Sequence, residues 1–294
     1  MATALDQVRE LTGNEYKYGF TTEVEEDRVP NGLKTIEFQD TIDDWKSGKT
    51  LTRRVCITGS DMFGLPTAKD EEVLFALLQL TMLENNFQNP EVTFNKNQII
   101  ELLGWPKTGW AYRRVEESLH RWKDVSIHFW NSWRDHRNKQ WKNSEALGVI
   151  EYFKFNDTRV GVDDGEVKSR FVWNKALFDS FQSGYLRKID FAVFRSLSRP
   201  AAKRAFRFLG KRFHFAEELE FDLQTFACEK LGFSREYDTG QLKERLRPAL
   251  GELEQIGFIK PVEYRKSRPK AWTIKLEQGQ AAKKAKRANL RDLP

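Results

Sequence analysis

Two short stretches of this chain carry side chains suited to reading base edges in a DNA major groove. Lys107-Thr108-Gly109 leads into Trp110, Tyr112, Arg113 and Arg114, and Thr239-Gly240 leads into Gln241, Lys243, Glu244, Arg245 and Arg247. An arginine can donate two hydrogen bonds to guanine O6 and N7, a glutamine pairs with adenine, and a glutamate accepts from cytosine N4. Lys107 stands where a helix would begin, a place where an ammonium and backbone N–H groups meet phosphate. Two further sets suit the DNA backbone. Arg265, Lys266, Arg268 and Lys270 crowd a hairpin tip, fit for phosphate or minor-groove contact. Arg199, Lys203, Arg207 and Lys211 recur at every fourth position and line one helix face with positive charge. The competing reading is a solvated surface with (i, i+4) pairs such as Arg113 with Glu117. Glu116 and Glu117 would repel phosphate if they faced it.

Catalytic chemistry is poorly served. Gly48-Lys49-Thr50 matches the tail of a phosphate-binding loop, but Asp43 stands where its first glycine belongs. The histidines, at 120, 128, 136 and 214, form no His-hydrophobic-His pair of the kind a metal-dependent strand-nicking enzyme would need. Asp163-Asp164-Gly165 reads as a hairpin turn. Cys56 and Cys228 lack partners at zinc-ligand spacing and read as free thiols of a reducing cytoplasm. No metal, cofactor or enzymatic activity is expected.

The elements that would hold the reading side chains repeat. Val115, Leu119, Trp122, Val125 and Ile127 are matched, 131 positions later, by Leu246, Leu250, Leu253, Ile256 and Phe258. Steps of 4, 3 and 3 trace one helix stripe, and the last step of 2 is the period of a strand. Upstream, Val92-Thr93-Phe94-Asn95 through Leu103-Gly104 is matched by Leu219-Glu220-Phe221-Asp222 through Leu231-Gly232. The offset there grows from 127 to 128, so the second copy of the helix carries one extra residue. Strand, helix, turn, longer helix and strand is the order of a winged helix-turn-helix. A helix over 68–84, capped by Thr67 or Asp70, presents the stripe Val73, Leu74, Leu77, Leu78, Thr81 and Met82. Further helices are expected at 174–181, 190–197 and 199–213, and Pro248 should bend the last long helix. The nine Trp and 22 Phe fall mostly on core-periodic positions. Trp130 and Trp133 fall on opposite faces of one strand, which leaves one of them open to mark a protein interface.

The expected fold is α+β, two tandem winged helix-turn-helix domains over 51–184 and 185–277. A flexible N-terminal arm (1–50) precedes them and a basic disordered tail (278–294) follows. The net charge of +6 is uneven: −4 over residues 1–66 and +10 over the rest. Residues 186–213 hold nine Lys or Arg against one acid, Asp190. Such a positive body attracts nucleic acid through counterion release. No apolar run is long enough to span a bilayer. The first residues lack a basic stretch followed by an apolar core, so neither a signal peptide nor a membrane partner is expected.

Several separated motifs also agree, in order, with one family. Gly64-Leu65-Pro66-Thr67-Ala68-Lys69-Asp70, Leu103-Gly104-Trp105, Leu186 through Arg204 with its Ser198-Arg199-Pro200, Leu246-Arg247-Pro248-Ala249-Leu250 and Ile256-Gly257-Phe258 resemble the replication initiator protein A family. The resemblance covers roughly residues 50–277. It implies tandem winged helices that bind double-stranded origin DNA, with direct repeats as the site, and recruit host replication proteins without catalysis. It also implies binding to those repeats as a monomer, with the capacity to form a homodimer through the first domain that represses its own gene. A winged-helix transcriptional regulator would need the same residues, and a strand-nicking initiator enzyme is the remaining rival.

Overall fold

Helix α1 (Ala68–Asn85) is the element around which the others gather. The structure is a computed structural model and describes residues 34–44, 49–135, 140–156, 168–182, 189–268 and 271–284. The sequence pattern assigns α1 one apolar stripe, yet it is buried nearly all round, Glu71, Glu72, Phe75 and Ala76 included. A helix covered on every side sits between layers instead of on the surface.

Around it stand β3 (Glu91–Phe94), α2 (Lys96–Leu103), α3 (Gly109–Asp124), β6 (Ile150–Lys154) and β7 (Ser169–Trp173). The three strands pair in the order β3-β7-β6. The second unit has α6 (Pro200–Arg212), β8 (Glu218–Asp222), α7 (Thr225–Leu231), α8 (Thr239–Gln255), β9 (Glu263–Arg268) and β10 (Ala271–Glu277), with sheet order β8-β10-β9. Helix, strand, helix, helix and hairpin, with the last strand central, is a winged-helix arrangement in both. α4 (Lys175–Gln182) and α5 (Phe191–Ser196) lie between the units in sequence.

The repeat offset has a structural counterpart. α2 is an ordinary α-helix, but α7 winds with i→i+5 hydrogen bonds. A π-turn takes up one additional residue without shifting the ends of a helix. Ahead of each stands a side chain that accepts a backbone N–H, Asn95 from Asn97 and Asp222 from Thr225, and each stops at a left-handed glycine, Gly104 (φ +67) or Gly232 (φ +83). A side chain with a Cβ would be strained at either glycine.

Four expectations are corrected. Residues 35–44, placed in a flexible arm, form β1, which pairs with β2 (Lys49–Thr58); residues 1–33 lie outside the described residues. β4 (Ser126–Asp135) and β5 (Gln140–Leu147), which fall within the span expected to be the first winged helix-turn-helix domain, join that hairpin as a separate sheet in the order β1-β2-β4-β5. Val55, Ile57, Ile127 and Phe129 of this sheet are buried, which explains why residues before the first winged unit are structured. The start of the tail is also docked. Ala281 N–H donates to Gly257 O, Lys283 pairs with Glu217, and Ala282 is buried; residues 285–294 are outside the described set. In β4 a bulge between Trp130 and Trp133, with Asn131 at φ +52, breaks the alternation that set the two on opposite faces. The Arg54 guanidinium lies 4.5 Å over the Trp130 ring, and the Trp133 side chain is outside the described residues, as is the 163–165 turn.

The units meet along α1, α5 and α6. Arg207 of α6 donates to Glu71 at 2.6 Å, and Lys203 pairs with Glu72 at 2.9 Å. Phe194 of α5 packs edge-on against Phe75, 4.5 Å between ring centres, and Arg207 lies 4.7 Å over the same Phe75 ring. Arg195 donates to the carbonyls of Leu102 and Glu101 at the end of α2. Breaking one member of a buried pair strands the other charge away from water. Glu71→Ala and Arg207→Ala should each lower unfolding free energy by roughly 3–5 kcal/mol in urea denaturation. The volume-matched double change Glu71→Leu with Arg207→Met should regain most of that loss. Single losses under about 1 kcal/mol would contradict a desolvated joint.

Candidate nucleic-acid interface

The first candidate reading helix, α3, is held by a buried carboxylate. Asp70 is fully buried, and its Oδ2 accepts from the Thr67 backbone N–H at 2.6 Å, closing a capping box. Ser118 and Arg121 of α3 donate to its Oδ1, and Arg114 stands 3.3 Å away. Trp122 Nε1 donates to the Asp70 carbonyl at 2.7 Å. Four α3 side chains thus converge on one residue of α1, which sets the roll of α3 about its own axis. Trp110, Arg113 and Glu117 are left on its exposed side.

This geometry removes residues from the expected interface. Arg114 is 8% exposed and faces Asp70 and Thr67, so it cannot reach a groove. Tyr112 is half-buried, and its hydroxyl donates to Asn97 of α2. Lys107 is exposed, but Glu101 lies 2.6 Å from its ammonium and raises its pKa. Arg113 is exposed as expected.

The second reading helix, α8, is held differently. Asp238 caps it, and in that capping box Gln241 Oε1 accepts from the Asp238 N–H at 2.9 Å. Pairing to adenine requires both ends of the amide, so Gln241 is engaged by its own helix. The Lys243 ammonium lies over the Trp272 ring (2.8 Å to the centroid) and near Tyr264 (5.3 Å), the two aromatics of the wing strands. Desolvation there lowers the Lys243 pKa, and burial pushes the Tyr264 hydroxyl up to about 12. Lys243 therefore ties α8 to its wing. Arg245, exposed, stacks 4.1 Å over Tyr237, and Arg247 is exposed. Pro248 lies inside α8, which continues to Gln255.

On the wing, Arg265 and Lys266 are exposed, with Arg265 paired to Glu263 at 2.9 Å. Lys270 and the Arg268 side chain lie outside the described residues. The helix expected to offer phosphate contacts is the largest correction. Lys203 is 7% and Arg207 3% exposed, and both are consumed in the joint with α1. Burial lowers the Lys203 pKa and Glu72 opposes that shift. Arg199 is exposed and pairs with Glu252 of α8 at 3.6 Å. What remains open is Arg113 with Trp110 on α3, Arg245 and Arg247 on α8, and Arg265 and Lys266 on the wing. Sequence reasoning missed Asp70, Glu71 and Glu72 as the groups that sort these cations. Three consecutive acids at the start of an otherwise apolar helix were the available signal.

Among the described residues no group of three His, Cys, Asp or Glu could hold a metal ion. No described helix is long and apolar enough to cross a membrane. Both cysteines are free, Cys228 buried and Cys56 partly so.

A sequence model described as Replication initiator protein A matches residues 35–246. The match starts with β1 and ends inside α8, whereas the motif resemblance began near 50 and ran to 277. Similar solved structures include two of RctB. Selenomethionine derivatives of domains 2 and 3 of RctB align with a TM-score of 0.59 and 14% identity, covering 85% of this chain and 94% of that one. A second structure of RctB domains 2–3 aligns at 0.55 and 13%, covering 87% and 96%. At such identity the likeness is one of fold. A sequence search of curated proteins gave no match.

The two arginines at matched positions, Arg114 and Arg245, should part company on mutation. Arg114→Ala removes one of the two guanidiniums facing buried Asp70 and should cost roughly 1.5–3 kcal/mol of stability, read as a lowered Tm of the free protein. Arg245→Ala, exposed on a ring face, should change stability by less than about 1 kcal/mol. Equal shifts in Tm would contradict the different burial.

Proposed function

We propose, from the premise that this chain belongs to the replication initiator protein A family, that it initiates replication by binding duplex origin DNA through both winged units. The exposed side chains of α3 and α8 read base edges in successive major grooves. Arg265, Lys266, Arg268 and Lys270 on the wing contact the backbone. The carrying observation is that two units of one topology each leave the outer side of their third helix uncovered, while buried ion pairs fix one unit against the other. A fixed joint suits a site made of two half-sites at one spacing. The protein supplies no bond-making or bond-breaking step. It marks the origin, on direct repeats, and host replication proteins assemble on it. A homodimer through the first unit belongs to the same proposal.

Site selection from random duplexes followed by footprinting tests this reading. Two protected stretches are expected, and inserting about 5 bp, half a ~10-bp helical turn, between them should weaken binding at least tenfold. Arg247→Ala should weaken the selected site more than random DNA, by roughly 1–3 kcal/mol if a base is contacted. Neutralising Arg265 and Lys266 should flatten the dependence of affinity on salt. An absence of any preferred duplex would overturn the proposal. A plasmid that fails to replicate when given this gene and its flanking DNA, despite site-specific binding, would favour a transcriptional regulator. A covalent protein–DNA product on supercoiled DNA with Mg²⁺ would mark a strand-nicking enzyme.

A further inference from the structure

Trp110 occupies the second residue of α3, and its matched position in the second unit is Gln241. Among the described residues five large apolar side chains are exposed: Met62, Leu83, Trp110, Tyr152 and Phe215. Trp110, 46% exposed, is the one on a reading helix. An indole left in water at a helix start forgoes the burial that tryptophan generally finds. This one is also held in place. Its ring lies 5.2 Å from that of Trp105, and the Lys69 ammonium stands 5.7 Å over Trp105. A Cβ added at the neighbouring Gly109 would meet nothing within 4 Å, so nothing covers the backbone beside the ring. Arg113, exposed one turn further on, brings positive charge to its flank.

We propose that Trp110 reads the 5-methyl group of thymine. This rests on the DNA-binding reading above and deepens it. Thymine is the base that offers a methyl group in the major groove, and apolar side chains recognise it there. The indole face would cover that methyl, while Arg113 on the same side of α3 fixes the register through a guanine or a phosphate. The two units then differ in chemistry at one position. The first carries an apolar reader, and the second carries an amide already bonded within its own helix cap.

The test replaces each thymine of the selected duplex, one at a time, with deoxyuridine, which removes the methyl and leaves every hydrogen-bonding group. At one or two positions within the first unit's footprint the unaltered full-length chain should bind about fourfold more weakly, the worth of one buried methyl-sized group. Trp110→Gln, which installs the second unit's residue, should show no difference between thymine and deoxyuridine there. Its Tm should match that of the parent, since the side chain is half exposed. No thymine with a deoxyuridine penalty, or a penalty that persists in Trp110→Gln, would overturn the inference while leaving DNA binding intact. Failure to select any duplex would remove the DNA-binding reading and this inference together.

Discussion

Three consecutive carboxylates near the start of α1 set the constraint on which the rest of the molecule depends. Asp70, Glu71 and Glu72 are all buried, and each faces cations brought from elsewhere in the chain. A charge removed from water is tolerated when it is paired and hydrogen-bonded, and is costly when it is not. The helix N-terminus helps, since its partial positive charge favours anions in that turn. Because successive residues on a helix point about 100° apart, the three acids address different neighbours. Asp70 holds α3 within the first unit, and Glu71 and Glu72 hold α6 of the second. One turn of helix therefore fixes both the roll of a reading helix and the joint between the units.

The two units share a topology but not an electrostatic plan. In the first, Arg121 of α3 reaches an acid near the start of α1. At the matched position of α8 stands Glu252, which accepts from the backbone N–H groups of Ser198 and Arg199 at the start of α6. A base meets a carboxylate in the first unit, and an acid meets backbone N–H groups in the second. The third residue of α1 is Asp70, and its counterpart in α6 is Ala202; Arg245 stays exposed and lies on Tyr237. Arg114, facing Asp70, is pulled under the surface.

The positive charge of the chain is consequently a poor map of its outer potential. The densest basic segment contributes Lys203, Arg204 and Arg207 to the interior, where Arg204 donates to the Leu231 carbonyl at the end of α7. The cations left outside on the reading helices and wing are few. Several lie on aromatic rings or beside acids, arrangements that hold a long side chain in one orientation before any ligand arrives.

The sequence alone was sufficient for the repeated unit, because a helix stripe and a stop at glycine are local patterns with fixed periods. It placed Gly104 and Gly232, matched Asn95 to Asp222, and even gave the extra residue that α7 absorbs by wider winding. It also showed which side chains could read a base. It could not say which of those side chains would face outward. Arg114 and Arg245 occupy the same place in the same pattern, and what separates them is an acid some 40 residues upstream in one copy and an alanine in the other. Likewise, Glu71 and Glu72 look like solvated surface beside an apolar stripe until α6 is laid against them. Burial of a charge is decided by what packs on it, and that information lies in residues far apart in the chain and adjacent only in the fold.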